Sequence, residues 1–204
     1  MSKTDTALLR DRKKKACRDK IYKAAIKLFL QKGYDQTTVE EIAEAANVSR
    51  ATFFNYFSRK EELVLYYTEE ILGAIEAAWK KILLKKSMKS VDKLLVMTGI
   101  AAELSARRRE AVRLMLWRRL RMYEGEELPY GSYLGILSVL NQVVTEGQEK
   151  GEFRSDIAPI SVAENFLAIY GYYLAKLSAV KNTENLDNQL MVAIKLLLEG
   201  IIKK

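Results

Sequence analysis

Apolar residues recur along this chain at three- and four-residue intervals, and alternating, strand-like stretches are scarce. The spacing predicts a helix from about Arg18 to Lys32, with Ile21, Ala24, Ala25, Leu28 and Phe29 on its apolar face and Gly33 as its stop. Thr38-Val39-Glu40-Glu41 reads as a capping box that opens a short second helix. The Thr38 hydroxyl takes a helix-start N–H, and Glu41 reaches back to the Thr38 N–H. Ile42, Ala43 and Ala46 face inward there, and Asn47, which tolerates left-handed backbone, ends the helix. Ser49 caps a third helix from Arg50 to Phe57, and Val48 and Phe53 have the spacing of a hydrophobic staple. A second box, Ser58-Arg59-Lys60-Glu61, opens a long fourth helix to about Lys86. Its buried stripe is Leu63, Val64, Tyr67, Ile71, Ala74, Ile75, Ala78, Trp79 and Ile82. Five more helical segments are expected, at roughly 90–105, 108–123, 130–150, 159–180 and 185–202. The predicted fold class is all-α, with about nine helices.

Charge divides the chain where the helices do. Residues 1–60 hold fourteen Lys and Arg against seven Asp and Glu, while residues 61–204 hold twenty against nineteen. Nearly all of the +8 net charge therefore belongs to the first third. Such asymmetry points to a nucleic-acid or acidic-membrane partner for that third. Taken alone, the Arg12–Lys15 run reads as a solvated arm. The expected domains are 1–60 and 61–204.

Composition removes several chemistries. With no histidine there is no Ser-His-Asp triad, no imidazole base and no His-ligated metal. One cysteine, Cys17, makes neither an internal disulfide nor a cysteine cluster, which fits a reducing compartment. Its basic neighbours Lys13, Lys14, Lys15 and Arg18 would lower its pKa and make it reactive, although most lone cysteines are inert. No catalytic residues, metal site or cofactor are expected. No apolar run is long enough to span a bilayer and the N-terminus lacks a signal-peptide core, so a cytoplasmic protein without a membrane partner is expected.

Helices two and three are separated by Asn47 and Val48 alone, the pattern of a helix-turn-helix. A recognition helix needs small and polar groups for the major groove on one face and apolar anchors on the other. Arg50, Ala51, Thr52 and Asn55 suit the first face; Phe53 and Phe57 suit the second. The positive start of helix two at Thr38 suits a phosphate, and Lys60 suits the same backbone. Read as Lys32-Gly33-Tyr34-Asp35-Gln36-Thr37-Thr38-Val39, then Ile42-Ala43, then Val48-Ser49 through Phe57, Lys60 and Leu63, the segment resembles the DNA-binding domain of the TetR family of bacterial repressors. The Gly151 to Arg154 segment is also similar. The resemblance implies that Thr38 binds phosphate, that Arg50, Ala51 and Thr52 meet base edges, that Asn55 lies at the groove, and that Tyr56 and Lys60 hold phosphates. Two positions depart from the family pattern: Phe54 stands where Tyr is frequent, and Asn47 where Gly is usual.

The remainder would form an effector-binding and dimerisation body. The resemblance implies that the last two helices pair with their copies in a homodimer, through Ile169, Tyr173, Leu190, Ile194, Leu197 and Leu198. The aromatic- and Met-rich middle would hold a small molecule of unknown identity, with Met97, Arg113, Trp117, Phe166 and Tyr170 as contacts. Arg107, Arg108, Arg109, Arg113, Arg118, Arg119 and Arg121 crowd one segment, and Arg113 or Arg118 would suit an anionic head group. The expected function is a ligand-responsive repressor that binds a palindromic operator in double-stranded DNA as a homodimer. The alternative is a constitutive or architectural DNA-binding dimer without an effector. An enzyme is not expected.

Overall fold

A computed structural model describes residues 3–109, 112–116, 131–180 and 183–203, the side chains of residues 3–10 and of Tyr67 excepted. Trp117, Arg118, Arg119, Arg121, Met122 and Tyr123 lie outside the described residues. Eight helices can be delimited: α1 (Lys3–Lys32), α2 (Val39–Ala45), α3 (Arg50–Phe54), α4 (Glu61–Leu83), α5 (Ser90–Ala106), α6 (Gly131–Glu149), α7 (Pro159–Ala179) and α8 (Leu186–Ile201). Residues 112–116 are helical as well, and the described residues hold no strand beyond an isolated bridge between Phe153 and Ile202. The all-α expectation holds. Among the described residues no helix is long and apolar enough to cross a membrane. The chain divides into two compact units, Met1–Tyr66 and Tyr67–Lys204, so the division falls inside α4.

In the first unit α1 starts well before the periodic segment, at Lys3, so the basic run is helical rather than an irregular arm. Its buried face is Ile21, Tyr22, Ala25, Ile26 and Phe29, rotated slightly from the expected one, with Ala24 and Leu28 half-buried at its edge. Gly33 stops the helix at φ +90° and donates its N–H to the Phe29 carbonyl at 3.0 Å. At the end of α2, Asn47 adopts φ +48° and donates to Glu44 at 2.8 Å, while Val48 donates to Ala43 at 2.9 Å. This is a Schellman closure with asparagine in the usual glycine place.

The second unit packs α6 on α7, α7 on α8, and α5 on both α6 and α8. Trp79, Met97, Leu140, Val143, Phe166 and Ile194 lie in one apolar cluster, and the Trp79 indole donates to the Met97 carbonyl at 2.9 Å. Phe153, carried by the Gly151–Arg154 turn, is buried against Gly147, where a Cβ would come within 2.2 Å of its ring. Lys93 is fully buried, an expensive position for an ammonium unless every proton is placed. Its Nζ donates to the Leu83 carbonyl at 3.0 Å and to both Glu146 carboxylate oxygens at 2.9 and 2.7 Å, which ties the end of α4 to α5 and α6. Burial pushes the Glu146 carboxyl up, but Lys150 and Lys93 outweigh it and hold the group below the usual range.

Candidate nucleic-acid interface

The first unit presents a short helix that cannot stand by itself. α3 has five residues, fewer than an isolated helix needs in water. Two features hold it. Ser49 caps it, its Oγ accepting the Thr52 N–H at 3.0 Å. Phe53, with no exposed surface, and Phe57, 1% exposed, anchor its inner side, their ring centroids 5.9 Å apart. Arg50, Ala51, Phe54 and Asn55 are exposed on the other side, and Thr52 and Tyr56 are half-buried. The helix ends at Phe54, three residues earlier than the spacing predicts, with Asn55 as its C-cap.

Thr38 is the N-cap of α2, and the capping box is complete. Its Oγ1 accepts the Glu41 N–H at 3.2 Å, and its own N–H donates to the Glu41 carboxylate at 2.8 Å. Lys32 pairs with the same carboxylate. Together the Lys32 ammonium and the Thr38 donors pull the Glu41 pKa down to about 2. The second box differs from expectation. Glu62, not Glu61, reaches back: the Ser58 N–H donates to one carboxylate oxygen at 3.0 Å, and the Ser58 hydroxyl donates to the other. Glu61 instead accepts the Tyr34 hydroxyl at 2.6 Å, which joins the start of α4 to the turn after α1.

Lys60 also braces that turn. Its Nζ donates to the Tyr34 and Thr37 carbonyls, each at 3.0 Å, and sits 4.2 Å from the Tyr34 ring centroid. Arg50 lies between Glu40, at 3.1 Å, and the Phe54 ring, 5.6 Å away. The i,i+4 spacing of Arg50 and Phe54 carried a signal for this stack that the groove-and-anchor division overlooked. The Tyr56 hydroxyl meets the Cys17 thiol, and that hydrogen bond pushes the tyrosine pKa up. So Thr38, Arg50, Ala51, Thr52, Asn55, Tyr56 and Lys60 all belong to one unit, but Thr38 and Lys60 already hold backbone groups of their own chain.

The other predicted residues lie in the second unit. Met97, Phe166 and Tyr170 are buried in its core, while Arg113 is exposed. The Tyr170 hydroxyl donates to the Ala101 carbonyl at 2.8 Å and lies 2.6 Å from the Ser105 hydroxyl, so its polar end is satisfied within the chain. On α7 and α8 the expected dimer stripe points inward. Tyr173, Leu190, Ile194 and Leu198 are buried within their own chain, and Ile169 and Leu197 are half-buried. The most exposed apolar groups on these two helices are Tyr172 (68% exposed), Leu196 (64%) and Val192 (57%). Tyr172 lines a groove with Ile169, Lys176, Gln189 and Ala193, and Val192 and Leu196 line another with Asn185 and Gln189.

Residues 21–67 match the family model for bacterial regulatory proteins of the tetR family. Residues 21–67 thus carry a TetR-family segment. The transcriptional regulator TcmR of Streptomyces glaucescens is 51% identical over 70 residues, covering 34% of this chain and 31% of that protein. The chain thus aligns with less than a third of that relative's length. The transcriptional repressor DhaR of a Mycobacterium species is 25% identical over 196 residues, covering 89% of this chain and 92% of that one. Among solved structures, the Thermus thermophilus TetR-family repressor FadR, crystallised with lauroyl-CoA, superposes with a TM-score of 0.74. It is 26% identical, with 92% of this chain and 96% of that one covered. The SmeT–triclosan complex shares the fold at a TM-score of 0.71 and 18% identity, over 93% of each chain.

Proposed function

We propose that this chain is a ligand-responsive transcriptional repressor that binds palindromic operator DNA as a homodimer. The observation that carries the reading is α3: a five-residue helix capped by Ser49 and anchored by Phe53 and Phe57, with Arg50, Ala51 and Asn55 exposed. A short helix anchored on its inner side and open on its outer side has the geometry of a recognition helix. Arg50, Ala51, Thr52 and Asn55 enter the major groove. Tyr56 and the positive start of α2 at Thr38 take the flanking phosphates, and Lys60 adds charge while bracing the turn behind them.

The homodimer forms on α7 and α8 through Tyr172, Val192 and Leu196 rather than through the stripe that each chain buries in itself. Two heads held by a two-fold axis match two half-sites about one helical turn (roughly 34 Å) or a multiple apart. The effector enters the second unit, as lauroyl-CoA and triclosan are held in complexes of the related structures. It represses or releases by favouring one arrangement of the dimer.

Base reading is tested at α3. Arg50→Ala and Thr52→Ala are each expected to cost about 1–3 kcal/mol on the preferred sequence and to relax discrimination against single base changes. Competition titrations with matched and mismatched duplexes measure this. An equal loss on every sequence would make both residues phosphate contacts and remove them from base reading.

A further inference from the structure

In the second unit, α4 and α6 meet through glycine rather than through large side chains. Glu69, Leu72, Gly73 and Glu76 follow i, i+3, i+4, i+7 spacing on α4 and share one face. Gly131, Ser132 and Gly135 open α6 against that face. A Cβ at Gly131 would lie 3.9 Å from the Glu69 carboxylate, and one at Gly73 would lie 3.9 Å from the Ser132 hydroxyl. One at Gly135 would overlap the Glu76 carboxylate. The glycines therefore make room for two acids within a helix contact.

The two acids are not equally satisfied. Glu76 pairs with Lys80, one turn on, at 2.6 Å. Glu69 accepts the Ser132 hydroxyl at 2.6 Å through Oε2, but its Oε1 is buried with no hydrogen-bond partner. Among the described residues Glu69 forms no ion pair. A dry carboxylate oxygen without a donor costs more than a neutral group left the same way, and folded proteins keep few of them. The atom needs a donor that its own chain does not supply.

We propose that Glu69 anchors an organic cation that carries an N–H and an apolar body, a protonated amine or amidine. The inference rests on the ligand-responsive reading and gives its effector a chemical class. The cation brings both a charge and a donor to Oε1, whereas Ser132 brings only a hydroxyl dipole to Oε2. Leu72, on the same face, packs against the apolar cluster that holds Ile71, Ile75 and Ile136, which suits the apolar body. Because Oε1 is closed off, the cation reaches it by parting α6 from α4, and the Ser132 hydrogen bond holds that contact shut. α4 runs from Glu61 to Leu83 and crosses the division between the units, so the helix that the cation displaces belongs to both.

The test is calorimetric titration of the full chain with three probes that share one tail: octylammonium, octyltrimethylammonium and octanoate. The first has charge and donor, the second has charge alone, and the third has the opposite charge. Octylammonium is expected to bind most tightly. Glu69→Gln should weaken it by about 10–100-fold, the worth of a hydrogen bond to a charged group. Glu76→Gln, whose acid is already paired, should leave it nearly unchanged. Ser132→Ala should tighten it, because the contact then parts more easily; a merely structural Glu69 would give no such gain.

Equal affinity of octylammonium for the wild type and for Glu69→Gln would overturn the site. Octanoate bound in preference to octylammonium would overturn the cation while leaving ligand response intact. A Glu69→Gln protein that is strongly destabilised, with no probe bound by any variant, would make Glu69 half of an internal ion pair and overturn the proposal. Octylammonium bound through Glu69 with no change in DNA affinity would support the site and contradict only the ligand-responsive reading beneath it.

Discussion

Leu196→Glu is expected to leave the chain folded and to convert the proposed homodimer to monomers. Leu196 is 64% exposed on α8, one turn after Val192 at 57%, and Tyr172 on α7 is 68% exposed. Large apolar groups are a costly surface to leave in water, and in the proposed homodimer a two-fold partner would cover them. A carboxylate in that patch would lose its hydration on association. Binding of the second half-site then ceases to be intramolecular, which lowers operator affinity by about 10²–10⁴-fold without touching a DNA contact. Sedimentation gives the mass and anisotropy titration gives the affinity. A Leu196→Glu protein that still sediments as a dimer with unchanged affinity would place the interface elsewhere.

Phe53→Ala is expected to cost about 3–5 kcal/mol of stability in the first unit, the usual range for removing a fully buried aromatic ring. Phe53 has no exposed surface, and its ring lies 5.4 Å from Phe54 and 5.9 Å from Phe57. Because α3 is too short to persist alone, losing its anchor also removes the recognition face. Denaturant unfolding measures the cost, and operator binding should fail along with it. Phe54, 43% exposed, serves as the comparison, and its truncation should cost far less. Similar costs at the two positions would contradict the assignment of an inner and an outer side to α3.

These expectations show which features the sequence could carry. Helix ends were legible because their chemistry is local. Thr38 with Glu41, Gly33 and Asn47 each act within a few residues, and each does what its spacing implies. The Ser58 box was misassigned by one residue because two adjacent glutamates competed. Tyr34, distant in sequence, took Glu61 and left Glu62 to reach back. The early end of α3 was hidden for a related reason: Phe57 keeps helical spacing although the backbone turns at Asn55 and Tyr56.

Which face of α8 its own chain covers was the least legible part. α8 is apolar over a wide arc, with Leu190, Ile194 and Leu198 on one side and Val192 and Leu196 on another. Periodicity alone cannot say which side its own chain covers. The Lys93–Glu146 pair was not legible either, since nothing local marks a lysine that an acid 53 residues away will neutralise.

The central claim, that this chain reads two-fold symmetric DNA, is tested most directly by selecting bound duplexes from a random-sequence pool. The account predicts enrichment of an inverted repeat, its half-sites spaced by about one helical turn or a multiple. Recovery of sequences with no two-fold symmetry, or no enrichment over the starting pool, would contradict it.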